Sequence, residues 1–274
     1  MPMVHPTHRP TGILSRRLAV IVSVAGLALA AWGGSAEAGV NLVQNGTFSA
    51  TSVSGSYQFG TGYESGGSPV DTVTDWTTSG YNFVFTSAAA ADTSPGATGS
   101  SGSLELWGPG NGSSNGLTNS PSGGNFIAAD GAYEVAPISQ TIVGLVPGQA
   151  ATLTFYWAGA QQSGYTGATT DQWEVSLGSQ TLYTPVTDLA SEGFSGWMTE
   201  TMTFTPTSST ETLSFTAIGT PSGVPPFALL DGVSLTEVPE PASWAMVVSG
   251  LTILIFYLRR RRAAASAGVT EAAG

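Results

Sequence analysis

The chain has 274 residues, with 18 acidic side chains against 7 basic ones and no cysteine. All seven cations are arginines near the two ends, and between Gly39 and Val238 there is no Lys, Arg or His. That middle stretch therefore cannot neutralise nucleic-acid phosphates, activate a serine with a histidine base, form a Schiff base or a disulfide, or hold zinc with its usual nitrogen and sulfur ligands.

Residues 1–38 read as a signal peptide with a helical apolar centre. A basic start ends in Arg16-Arg17, the apolar run Leu18–Ala31 follows, and Ala36-Glu37-Ala38 matches an A-x-A cleavage site. The run is short for a membrane anchor. The partners implied are the secretory translocon and signal peptidase, with the mature chain starting at Gly39.

The next unit is predicted to span 39–237. It carries fifteen carboxylates, Glu64 through Glu237, and no cation, so its own charge is −15 where the whole chain sums to −11. Short runs of β-branched, aromatic and aliphatic residues alternate with Gly, Ser, Thr, Asn and Pro clusters, without a helical period. Strands are predicted near Asn41–Gln44, Asn82–Thr86, Ser103–Trp107, Asn125–Ala129 and Ile138–Val143, with a turn at Pro147-Gly148. In Thr152–Trp157, residues Leu153, Phe155 and Trp157 face one way and Thr152, Thr154 and Tyr156 the other. Trp173, Val175 and Leu177 alternate with polar residues, as do Met202 with Phe204 and Leu213, Phe215 and Ala217. A period of two with threonine on the alternate face is what a half-buried antiparallel strand requires. With the closing strand Phe227–Glu237 the count is about ten, which suits an all-β fold of two packed sheets.

After this unit, Pro239-Glu240-Pro241 leads into an uncharged run of seventeen residues, Ala242–Leu258, and then four arginines. Such a helix reaches about 25 Å, and arginines snorkel, so a single membrane-spanning helix is predicted with the arginines and the tail 263–274 on the cytoplasmic side. The order of Pro239, Glu240, Pro241, Trp244, Ala245, an apolar helix and Arg259, Arg260, Arg261 and Arg262 resembles the PEP-CTERM sorting signal of Gram-negative bacteria, in its PEPxxWA variant, over 238–262. The resemblance implies an exosortase, a membrane-embedded peptidase, as partner. It also implies an inner-membrane-anchored precursor and delivery to the cell surface or extracellular matrix. A single glycine in the helix, Gly250, and the twelve-residue tail depart from the pattern.

The opening Asn41–Phe48 and the closing Ala228–Leu235 resemble the first and last strands of galactose-binding-like jelly rolls, including many carbohydrate-binding modules. That resemblance implies a two-sheet antiparallel jelly-roll sandwich. Those modules often hold a structural calcium between a carboxylate after the first-strand N-G-x-F and an aspartate in the last strand; here Ser49 follows Phe48. The aspartate in question is Asp231, which the alternation Leu229, Asp231, Val233, Leu235 places in the apolar set. A buried carboxylate must be paired, coordinated or protonated. With no cationic side chain in the unit, its partners are calcium or a set of backbone N–H groups and neutral side chains.

Trp76, Trp107, Tyr133, Trp157, Tyr165, Trp173 and Trp197 form the second group of candidates. Trp76 and Trp107, flanked by glycine and polar residues, are candidates for stacking on sugar faces; core packing is the alternative for each, above all for Trp157 and Trp173. Gly108–Gly112 lacks the lysine of a phosphate loop, and Ser114 in a G-x-S-x-G spacing has no histidine to activate it. Glycoside hydrolysis needs only two carboxyl groups, and Glu105, Asp130 and Glu134 are candidate acids. No strand motif pairs them on one face, however, and Asp171 and Glu174, three apart, point to opposite faces. The sequence reads as an exported, non-enzymatic sandwich with a structural or adhesive task in the envelope or matrix. A carbohydrate-binding module for an exopolysaccharide and a glycosidase are the alternatives.

Overall fold

The computed structural model describes residues 39–60, 72–99, 102–237 and 243–270. Ala36 and Ala38 of the cleavage site, and Pro239, Glu240 and Pro241 of the sorting motif, lie outside the described residues. Ala38–Val238 forms one compact unit, and the C-terminal helix belongs to a second.

Among the described residues the first unit is built from thirteen strands: β1 (Tyr57–Phe59), β2 (Asn82–Phe85), β3 (Ala97–Gly99), β4 (Gly102–Leu104), β5 (Phe126–Asp130), β6 (Ile138–Val143), β7 (Ala151–Gln161), β8 (Thr169–Leu177), β9 (Gln180–Tyr183), β10 (Thr187–Leu189), β11 (Met198–Phe204), β12 (Thr210–Thr220) and β13 (Pro226–Glu237). They make two sheets, an eight-stranded one ordered β11-β7-β13-β5-β2-β1-β3-β4 and a second ordered β10-β8-β12-β6 with β9 on β8. All strand pairs are antiparallel except β1 with β3. The architecture is the all-β, two-sheet sandwich that the alternation predicts. Two details differ. Asn41–Gln44 contributes only a single bridge, Asn41 to Thr236, instead of a strand. And β1, β3, β9 and β10 are three or four residues long, too short for a period of two to show in sequence.

The space between the sheets is filled by the predicted inward faces: Leu153, Phe155 and Trp157 of β7, Trp173, Val175 and Leu177 of β8, and Leu213, Phe215 and Ala217 of β12. Phe215 is the hub, with ring centroids 5.2 Å from Phe155, 6.0 Å from Trp173 and 6.2 Å from Trp76. A second apolar layer lies on the opposite face of the eight-stranded sheet. It takes Phe83 and Phe85 of β2, Phe126 and Ala128 of β5, and Phe227 and Leu229 of β13. The short helix α1 (Ala88–Ala91), together with Leu106, Leu117, Phe194 and Trp197 from loops, covers it. Burial on both faces is why Phe83-Val84-Phe85, Phe126–Ala129 and Phe227–Leu230 are continuous apolar runs without polar alternation.

β13 also breaks the predicted alternation. Its register on β7 advances from Asp231–Tyr156 to Ser234–Thr154, so one extra residue bulges out. Gly232 supplies the left-handed backbone there, at φ +62°. Leu230, Val233 and Leu235 consequently face the inter-sheet core while Leu229 belongs to the outer layer. Asp231 does not share a face with Val233 and Leu235, which corrects the expected pattern.

The helix α2 (Ser243–Thr270) begins with Trp244 and Ala245 in its first turn. Arg259–Arg262 lie within it, and the Arg261 guanidinium sits 5.5 Å from the Tyr257 ring centre. No helix among the described residues is long and apolar enough to cross a membrane, which differs from the predicted span over 242–258. The physical reason is that α2 starts at Ser243 and carries the arginines directly after Leu258, so its uncharged part is only sixteen residues.

Candidate functional site

The predicted candidates separate into core and surface. Trp76 is only 4% exposed and packs its ring on Phe48 at 5.2 Å. Its indole N–H donates to the carbonyls of Gln44 (3.2 Å) and Asn45 (3.1 Å). It is a core residue, so its face is not available for stacking, and that expectation is corrected. Trp157 and Trp173 are fully buried, the latter donating its Nε1 to Leu229 O at 3.1 Å. Trp107 is half-buried; its Nε1 donates to Tyr165 O at 2.7 Å and its backbone N–H to Gln161 O at 2.9 Å. The Trp107 ring thereby props the turn between β7 and β8.

Asp231 is fully buried and accepts hydrogen bonds from the hydroxyls of Ser120 and Ser122 and from Gly232 N–H at 2.6 Å. Burial pushes its pKa up, and those three neutral donors partly offset the push. Glu105 takes a long contact from Asn111 Nδ2 at 3.5 Å. Asp171 is buried while Glu174, on the other face of β8, accepts from Tyr183 Oη at 2.9 Å.

One end of the sandwich gathers the remaining chemistry. There β5 ends at Asp130, opposite Phe227, while Asn82 starts β2 and Gln161 ends β7 opposite Pro226. The turn after β5 is tied down tightly: Asp130 Oδ1 accepts from the backbone N–H of Ala132 (2.8 Å) and Tyr133 (3.0 Å). Tyr81 N–H donates to Glu134 O at 3.0 Å, and Asp130 N–H to Tyr81 O at 3.1 Å. Glu134 holds φ at +44°, a conformation that a non-glycine residue keeps only where such contacts enforce it. This turn presents Tyr133, 49% exposed, edge-on to the half-buried Tyr81, with ring centres 5.4 Å apart. Tyr165, 44% exposed, comes from the neighbouring β7–β8 turn.

Tyr81 reports how close these groups are. Burial pushes its phenol up to about 12, and the charge of Asp130, the phenols of Tyr133 and Tyr165, and Glu134 add to the rise. Its hydroxyl therefore stays neutral and able to donate. Burial likewise holds Asp130 up from 3.8 to about 6, against the two backbone donors. The ensemble offers flat apolar ring faces bordered by acceptors and neutral hydroxyl donors, in a stretch of chain with no Lys, Arg or His between Gly39 and Val238.

No protein-family model matches the chain, and no curated protein resembles it in sequence. Among solved structures it is similar to TmCBM61, in complex with β-1,4-galactotriose, at 12% identity and TM-score 0.38, over 72% of this chain and 99% of that one. It is also similar to a CBM4 structure, at 14% identity and TM-score 0.31, over 71% and 99%. A third likeness is to the CBM22-1 xylan-binding domain of Xyn10C from Paenibacillus barcinonensis, at 13% identity and TM-score 0.31, over 76% and 100%. At these values the likenesses decide no ligand.

Sequence reasoning singled out Tyr133 and Tyr165 but not Tyr81, which stands at the start of an apolar run and looks like core. It also passed over the burial of Asp171, although that residue shares the parity of Trp173, Val175 and Leu177.

Proposed function

We propose that the sandwich is a non-catalytic carbohydrate-binding domain of an exported protein, taking a neutral polysaccharide at the end that carries Tyr81, Tyr133 and Tyr165. The observation that carries this reading is the pair of half-exposed phenol rings, Tyr133 and Tyr165, held by structured turns beside carboxylates. Pyranose rings present C–H faces that pack on aromatic planes, and their hydroxyls need acceptors and donors at the rim. A −15 unit without a single cation repels uronates and sulfated glycans, so the substrate class is uncharged.

The test is glycan-array and calorimetric binding with Tyr133→Ala, Tyr165→Ala and the double variant. Each single change is expected to weaken binding about tenfold, a loss of roughly 1.4 kcal/mol per ring, with melting unchanged. Full binding by the double variant would overturn the assignment. Turnover of a polysaccharide that disappears with Glu105→Gln would replace it with a glycosidase.

A second reading concerns delivery. The order Pro239-Glu240-Pro241, Trp244, Ala245 and Arg259–Arg262 supports export and exosortase-type processing at the surface of a Gram-negative cell. On α2, Leu251 and Ile253–Leu258 are all exposed, Phe256 by 69%, and such a helix needs lipid or a membrane enzyme to cover it. Mass spectrometry of the surface-released protein should find a C-terminus before Ser243. Recovery of the arginine cluster in that material would sink the sorting reading.

A further inference from the structure

Beneath the tyrosine-bearing end, β8 turns two polar side chains inward. Asp171 is 0% exposed and Thr169, two residues earlier on the same face, is 2% exposed. Both carboxylate oxygens of Asp171 and Oγ1 of Thr169 are buried without any hydrogen-bond partner. A buried charge left in this state costs several kcal/mol, roughly, so something must satisfy it. No cationic side chain of the unit can, because no Lys, Arg or His lies between Gly39 and Val238, and no neutral donor reaches it.

The surroundings supply further oxygen. Gly219, the register partner of Asp171, donates its N–H to Gly131 O at 2.9 Å, which brings the end of β5, on the other sheet, close to β8. The missing side chain of Gly131 makes that approach possible: a Cβ there would meet Gly219 N at 2.4 Å. On another side, a Cβ on Gly159 would lie 2.9 Å from Asp171 Oδ2 and 2.7 Å from Thr187 Oγ1, so these two oxygens converge over a residue without a side chain.

We propose that Asp171 and Thr169 bind a hard divalent cation, calcium, between the two sheets. All the donors are oxygen, which selects a hard ion, and calcium tolerates irregular shells of roughly six to eight oxygens completed by backbone carbonyls or water. A single proton on Asp171 is the competing species. It would cancel the charge with one new O–H, whereas a cation would take the orphaned Asp171 and Thr169 oxygens as ligands. This cation site is distinct from Asp231, whose oxygens already accept from Ser120, Ser122 and Gly232. It also stands independently of glycan binding.

The experiment uses the full chain, stripped with EDTA and then melted in calcium chloride or in sodium chloride of equal ionic strength. Calcium at about a hundredfold above its Kd should raise Tm by roughly 5–10 °C. Calorimetric titration should give a single site. Asp171→Asn should abolish both effects, and Asp231→Asn should leave both in place. Should Asp171→Asn fail to fold, Thr169→Val keeps the shape, removes one ligand and should weaken calcium binding about tenfold. Superimposed melting curves in calcium and sodium would overturn the proposal in favour of the proton. A response lost with Asp231→Asn and kept with Asp171→Asn would move the ion elsewhere.

Discussion

The two apolar layers of the sandwich are closed in different ways. The inter-sheet layer is sealed by strands on both sides, with Phe215 meeting Phe155, Trp173 and Trp76. The outer layer is strand on one side only; α1 and the loops bearing Leu106, Leu117, Phe194 and Trp197 form its lid. This difference explains where a ligand can go. The broad outer face of the eight-stranded sheet is occupied by the protein's own loops, and the exposed Tyr133 and Tyr165 stand on turns at the end of that sheet.

The comparison can be broken most severely at the hub. Phe215→Ala is expected to cost about 3–5 kcal/mol, much of an ordinary domain's stability, and to abolish cooperative melting or lower its midpoint sharply. A smaller effect is expected from Phe126→Ala in the outer layer, where the ring meets Trp197 at 5.6 Å and Phe85 at 5.7 Å. Loops relax into a cavity more readily than paired strands, so the global loss should be about 2–3 kcal/mol, with new protease cleavage around residues 105–125 and 189–197. Equal losses without new cleavage would mean that the two layers unfold as one unit.

The smallest effect concerns Glu211, at the start of β12 on the rim of the inter-sheet layer. Burial pushes its pKa up, but Thr207 N–H (2.7 Å), Thr207 Oγ1 (2.8 Å) and Ser208 N–H (3.1 Å) outweigh this and hold it below 4.5. A lowered carboxylate stabilises the fold above 4.5, and that contribution fades as pH falls through the folded value. Urea titrations of Glu211→Gln should therefore differ from the parent above that interval and converge with it in acid. A difference that persists in acid would point to packing instead of charge.

Much of the fold was legible in the strands themselves. Thr152–Trp157 and the stretch around Trp173 alternate because one face is covered and the other is not, and both formed as read. Parity alone failed in β13, where the Gly232 bulge moved Asp231 to the other face; it is buried all the same, because that face is covered too. The same parity rule, applied to β8, places Asp171 beside Trp173 and would have found it. Trp76 between polar neighbours gave a misleading signal: its flanks belong to a loop that folds over the core, and indole nitrogen needs only carbonyls to be buried.

Composition and periodicity by themselves determined that the unit is sheet-built, that it contains no cationic side chain of its own, and that acid–base chemistry with its own histidine or lysine is closed to it. These are properties of residue type and of neighbours two positions apart. Only the tertiary structure decided which faces are covered and which distant turns meet. Tyr81, Tyr133 and Tyr165 come together, and Asp130 approaches Asp171, through backbone contacts such as Gly131 on Gly219. A strand's period of two sets the side on which each residue points, and carries no information about what will be packed against that side.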